Sequence, residues 1–137
     1  MNLVLLDTGC LVALLDRRER FHQKCVEVVT ALPPPLMTCE AVIVESIYLL
    51  RNVLGADQAI LEDVRVGTYQ LSHVLAARAA EVATLMRKYS DVPMDLADAC
   101  LVDLATQLGT GRILTLDSDF KFYRWGRNRP FELLLDI

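Results

Sequence analysis

Apolar positions along this chain fall into short continuous runs that alternate with longer stripes of helical period. Leu3 to Leu6 is a continuous run ended by Asp7, the form of a central strand buried on both faces. Thr8-Gly9 allows a turn, and Cys10 to Leu15 reads as a short helix. Beyond a charged corner, Asp16-Arg17-Arg18-Glu19-Arg20, the residues Phe21, Cys25, Val28, Val29 and Leu32 recur at helical spacing. Pro33-Pro34-Pro35 stops that helix. Leu36-Met37 is a minimal strand. Thr38 is expected to cap a helix running to about Leu54, with Gly55 as its stop signal. Asp57 to Val66 is a second short helix, and Thr68 to Leu71 an edge strand.

The second half repeats the alternation. Val74 to Tyr89 is amphipathic, with Val74, Ala77, Val82, Leu85 and Met86 expected inward. Asp95 to about Leu108 is a largely apolar helix broken by Gly109-Thr110-Gly111. Arg112 to Leu116 reads as a buried strand, Lys121 to Arg129 as a basic and aromatic segment, and Phe131 to Leu135 as a last strand. The order β-α-α-β-α-α-β-α-α-β-α-β predicts the α/β class, with a mainly parallel sheet and right-handed crossovers. No repeat or linker interrupts the 137 residues, which read as one domain.

Composition narrows the setting. The 53% hydrophobic content must be buried in a two-sided core, at an oligomer interface, or both. No apolar run reaches the roughly 18 residues of a membrane span. Met1-Asn2-Leu3 lacks a basic lead-in and Asp7 interrupts the apolar run, so no signal peptide is expected. Cys10, Cys25, Cys39 and Cys100 show no C-x-x-C spacing and read as buried free thiols in a reducing cytoplasm. The two histidines, His22 and His73, lack ligand spacing and read as loop or capping residues, which leaves zinc unsupported. A net charge of −4 argues against a broad basic surface for duplex DNA. It leaves room for a nucleic-acid enzyme with a local basic rim, for which Arg17, Arg18 and Arg20 are candidates.

The chemistry gathers in the acids. Asp95 and Asp98 stand three apart at the head of a helix, on one face. Helix capping accounts well for Asp95. It accounts less well for Asp98, which apolar Ala97, Ala99, Leu101 and Val102 surround. Asp103 lies about 140° round the helix from Asp98 and reads as outward. Asp7 and Asp117 each follow an apolar run directly, so both emerge at the carboxyl edge of a parallel sheet, where sites form. Glu45 sits on an apolar helix, flanked by Ile43, Val44 and Ile47; it is either an exposed-face residue or a fourth acid reaching the same cleft. Such a cluster repels itself unless a hard cation sits in it. Oxygen-only ligands favour Mg²⁺ or Mn²⁺, and phosphodiester hydrolysis is the natural reaction.

Asp7-Thr8, Thr38 with Glu45, Asp95-Leu96-Ala97-Asp98-Ala99 and Leu114-Thr115-Leu116-Asp117-Ser118-Asp119-Phe120 resemble, in order, the motifs of PIN-domain ribonucleases. That family includes the VapC-type toxins of bacterial type II toxin–antitoxin pairs. The resemblance implies a PIN-like three-layer α/β/α fold with a five-stranded, mainly parallel sheet. It implies Asp7, Glu45, Asp98 and Asp117 as the catalytic quartet, with Asp7, Asp98 and Asp117 holding Mg²⁺ or Mn²⁺. Thr8 and Thr115 match supporting hydroxyl positions, Asp119 can contribute directly or through water, and Asp95 is a cap with a role behind the ligands. It further implies an RNA substrate, a cognate antitoxin protein, a homodimer and a cytoplasmic setting. Arg124, Arg127 and Arg129, with Tyr123 and Trp125, are candidates to hold single-stranded RNA, or else form a solvated turn with Trp125 packed inward.

Two other α/β readings fail on residues. An aspartyl-phosphate phosphatase needs a second Asp two positions after the first, and Gly9 stands there. A phospho-accepting receiver needs an acid pair at the first strand and a lysine near the end, and neither is evident. A non-catalytic PIN-like RNA- or protein-binding module is the remaining alternative.

Overall fold

The computed structural model describes residues 2–135. Strand β1 (Val4–Leu6) lies at the centre of a five-stranded sheet in which every pairing is parallel. Around it run α1 (Thr8–Leu15), α2 (His22–Thr30), β2 (Leu36–Thr38), α3 (Glu40–Leu49), α4 (Ala56–Val66) and β3 (Tyr69–Leu71). The chain then returns through α5 (Leu75–Lys88) and α6 (Leu96–Leu108) to β4 (Arg112–Leu114). A 3₁₀ turn (Ser118–Lys121) and an antiparallel ribbon of β5 (Arg124–Trp125) and β6 (Arg129–Pro130) precede β7 (Glu132–Leu133), and the sheet order is β3-β2-β1-β4-β7.

This order has a consequence for function. From β1 the chain winds outward to β2 and β3, then reverses to β4 on the other side. Right-handed crossovers therefore put α1 to α4 on one face and α5 and α6 on the other. The reversal makes the carboxyl ends of β1 and β4 the switch point, where the helices part and leave a crevice. Leu5, Leu6, Leu11, Val42, Leu101, Leu104, Ile113 and Leu114 fill the layers between and are essentially inaccessible. All four cysteines are free and buried, as the absence of a spacing pattern suggests. No described helix is long and apolar enough to cross a membrane.

Several expectations need correction. Thr38 does not cap α3: it ends β2, where its hydroxyl donates to Leu6 O at 2.7 Å and ties two strands together. Cys39 holds the cap position without a side-chain bond. Helix α3 stops at Leu49 rather than Leu54, because Arg51 and Val53 turn back with N–H bonds to Tyr48 O and Leu50 O. Gly55 instead opens α4, in the left-handed region at φ 80°. β4 ends at Leu114 because the Thr115 hydroxyl is drawn into side-chain bonds. The last strand is only Glu132–Leu133, and the basic segment folds into the ribbon.

The largest correction concerns α5. Of the residues expected inward, Val82 is buried and Leu85 half-buried, while Val74, Ala77 and Met86 are exposed. The inward place is taken by polar groups. Asp103 is buried, not outward: Arg78 donates to both its oxygens at 2.9 and 2.8 Å, and His73 Nε2 lies 2.9 Å from Oδ2. The rotation away from Asp98 was right, but α5 covers that face of α6. His73 is thus a buried partner rather than a loop residue. His22, by contrast, sits at the head of α2 with Nδ1 2.6 Å from Ala13 O.

Candidate active site

Helix α6 shows how the sequence builds the crevice. Asp95 is its N-cap: Oδ1 accepts the Asp98 N–H at 2.8 Å, while Asp98 Oδ2 accepts the Asp95 N–H at 3.4 Å. The reciprocal bonds complete a capping box with Asp in the position Glu usually fills. Capping and a place in the crevice are therefore compatible, since the same box turns Asp98 toward β1. At the other end Gly109, at φ 69°, closes the helix in a conformation that side chains resist.

Asp7, Glu45, Asp95, Asp98 and Asp117 line one cavity of about 280 Å³, together with Thr8 and Leu49. Asp7 ends β1 and is buried; its Oδ1 accepts the Thr8 N–H and its Oδ2 the Thr115 hydroxyl, both at 2.7 Å. Thr115 Oγ1 also accepts the Asp117 N–H at 3.0 Å, so one hydroxyl orders two of the acids. Asp117 Oδ1 accepts the Asp119 N–H at 2.9 Å and caps the 3₁₀ turn. Asp119 itself does not line the cavity; it supports Asp117 through its backbone. Glu45, half-buried on the second turn of α3, reaches the cavity from the side.

Electrostatics mark Asp7 and Asp98 as unusual. Burial pushes Asp98 up to about 8, and the charges of Asp95, Asp7 and Asp117 add to the effect. Burial likewise pushes Asp7 up to about 6, although the Thr115 and Thr8 hydrogen bonds oppose it. No described Lys, Arg or His forms a salt bridge with Asp7, Glu45, Asp98 or Asp117. The Thr8 hydroxyl is buried at the cavity wall with no partner.

Tyr123 takes a place that sequence reasoning did not assign to it. It is fully buried, stacked edge-on against Tyr89 and Phe120, and its hydroxyl donates to Asp98 Oδ2 at 3.3 Å. An RNA-stacking role for it is thereby overturned; the aromatic run from Phe120 was the one available signal of a buried wall. Arg124 folds back on its own turn, one guanidinium nitrogen donating to the carbonyls of Lys121, Phe122 and Tyr123 at 2.9, 3.3 and 3.0 Å. Trp125 lies on Gly111, where a Cβ would collide with the indole ring, and it donates to Pro130 O at 3.0 Å. Arg127 and Arg129 are exposed on the ribbon, which is anchored by Gly126 N–H to Thr106 near the far end of α6. The expected RNA arginines thus stand away from the acid cavity or are engaged elsewhere.

Among the described residues no three acidic, histidine or cysteine side chains already converge as a ligand set. The acids line a common cavity without meeting at a point, as mutually repelling carboxylates do. The donors nevertheless fit a hard divalent cation: they are all oxygens, two are desolvated, and Thr8, which lines the same cavity, has a buried hydroxyl without a partner. The family model of the PIN domain matches residues 4–126.

This chain belongs to the PIN-domain family.

Within that family, Ribonuclease VapC26 of Mycobacterium tuberculosis is 32% identical over 116 residues, spanning 83% of this PIN domain and 86% of the relative. The crystal structure of Mycobacterium tuberculosis VapC20, titled a sarcin–ricin-loop-cleaving toxin, matches with a TM-score of 0.77 and 21% identity. It covers 93% of this PIN domain and 99% of that chain, a likeness of fold.

Proposed function

We propose that this PIN domain is a VapC-type ribonuclease that hydrolyses RNA phosphodiester bonds with Mg²⁺ or Mn²⁺, as the toxin of a toxin–antitoxin pair. The observation that carries this reading is the cavity at the β1/β4 switch point, lined by five carboxylates and by no described cation. Asp7, Asp98 and Asp117 would hold the metal. When bound, the ion supplies a lowered water pKa and stabilises charge on the phosphate. Glu45 orients the attacking water and takes its proton; the water oxygen bonds to phosphorus as the opposite P–O bond breaks. Thr115 fixes Asp7 and Asp117 through its hydroxyl, Thr8 fixes Asp7 through its N–H, and Asp119 holds Asp117 by its own N–H. Asp95 keeps Asp98 in place through the capping box.

The whole chain acts as one domain in this reading, in the cytoplasm, as a homodimer and with an antitoxin protein as partner. The exposed apolar side chains Val44, Tyr48, Val74, Leu75 and Leu96 supply surface for such contacts. Labelled single-stranded RNA incubated with purified protein tests the activity. Cutting with Mn²⁺ or Mg²⁺, absent in EDTA and in both Asp7→Asn and Asp98→Asn, is the expected result. Intact RNA on several substrates, with folded wild-type protein that binds no metal, would instead support a non-catalytic binding module.

A further inference from the structure

We propose that a second cavity, on the other side of Asp117, is a nucleotide subsite that takes one nucleoside-phosphate unit of single-stranded RNA beside the bond to be cut. The inference rests on the ribonuclease reading for its biological sense, but it stands on its own geometry. The cavity holds about 330 Å³ and is walled by Leu116, Asp117, Ser118, Lys121, Leu133 and Leu135. Leu116 and Asp117 also line the acid cavity, so the two spaces adjoin along one wall. Its size is near the low end of the roughly 300–1,000 Å³ of small-ligand pockets. That suits one nucleotide and excludes a duplex.

The lining matches the ligand's two halves. Lys121 and the Ser118 hydroxyl offer a cation and a donor for a phosphate, while three leucines offer an apolar wall for ribose and base. A polyanion approaching five carboxylates meets repulsion, and Lys121 is the basic residue lining either space. The turn bearing it is held from both ends. Asp117 caps its start through the Asp119 N–H, and Arg124 ties down the carbonyls of Lys121, Phe122 and Tyr123 at its close. Phe120, on the same turn, is fully buried beneath it. Arg124 is thus a positioning residue for this cavity rather than an RNA ligand. The arginine-lined cavities, one at Arg17 and Arg18 and one at Arg51, share no residue with the acid cavity, and Arg18 is bonded to Asp16.

Amide NMR of the full chain tests the subsite, with uridine 5′-monophosphate as probe and inorganic phosphate as control. The expected shifts concentrate at Ser118, Lys121 and Leu133. Lys121→Gln should weaken binding by roughly tenfold, and Lys121→Arg should restore most of it. For RNA bound to the Asp98→Asn protein, Lys121→Gln should reduce the log–log salt slope by about 0.7, one phosphate contact on a single strand. Shifts at Arg17 to Arg20 instead, affinity unchanged in Lys121→Gln, or inorganic phosphate binding as tightly as the nucleotide would overturn the proposal. Nucleotide shifts in a wild type that never cuts RNA would sink the ribonuclease reading and leave the subsite standing. Metal-dependent cutting without those shifts would do the reverse.

Discussion

Helix α6 carries two buried aspartates five residues apart, and they live opposite lives. Asp103 faces α5, where Arg78 and His73 meet it. Burial raises its pKa, but those hydrogen bonds and the charges of Arg78 and His73 together outweigh it, and the net shift is downward. Asp98 faces β1, where its neighbours are Asp7, Asp95 and Asp117, and it is pushed up to about 8. One carboxylate has its cations within the chain; the other has none among the described residues. A buried charge is costly without a partner. The contrast therefore separates an acid paired by the fold from an acid the fold leaves without a cation, although both sit on the same helix at similar depth.

The same substitution at the two positions breaks the comparison most sharply. Asp103→Asn takes the ion partner from Arg78 and weakens the contact with His73, and it should lower the midpoint of unfolding in a urea titration more than any other change here. Asp98→Asn should raise the stability of the metal-free protein at pH 8 by about 1–2 kcal/mol, because it removes an acid that ionises reluctantly there. It should also cut RNA cleavage at least ~100-fold, since it removes an acid proposed to hold the metal. Equal destabilisation by both would erase the distinction.

pH sharpens it further. Asp7 and Asp98 have folded-state values of about 6 and about 8, above the ordinary 3.8. The folded protein therefore keeps protons that the unfolded chain has released. Their contribution to stability is complete below about pH 4 and is lost as pH rises through about 6 and then about 8. Asp103 runs the other way: its contribution is present above the ordinary carboxylate range and is lost as pH falls through its lowered value. Thermal melts in EDTA should fall between pH 5 and pH 8 for wild type, and fall less for Asp98→Asn. A smaller effect is expected for Thr115→Val, which unties Asp7 from Asp117 and should cost about 1 kcal/mol of stability with a roughly tenfold loss of cleavage. The smallest belongs to Arg127→Gln: on the ribbon by the far end of α6, it should change RNA affinity less than about twofold in a filter-binding titration.

How much of this was legible in the chain follows the same division. Strand ends carrying Asp7 and Asp117, and a helix head carrying Asp95 and Asp98, are local patterns, and parallel topology brings local patterns to one edge. The class and the acid cavity were readable for that reason. Asp103 was not, because helical rotation says which way a side chain leaves its own helix and nothing about which helix lies there. Arg78 and His73 are thirty residues or fewer away in sequence but meet Asp103 only through the α5–α6 contact. Tyr123 and Arg124 misled for a related reason: an aromatic and basic string has the composition of an RNA platform whether its side chains turn outward or are spent on Asp98 and on backbone carbonyls. Lys121, two residues upstream in the same string, differs only in the space the fold opens beside it.

Calorimetric titration of Mn²⁺ into wild-type protein, Asp98→Asn and a conservative Asp103→Glu tests the central claim most directly. The account predicts saturable binding to wild type at pH 7.5, with proton release from acids held above their ordinary range, and binding lost in Asp98→Asn but kept in a folded Asp103→Glu. Equal Mn²⁺ binding by Asp98→Asn and wild type, or none by either, would contradict it.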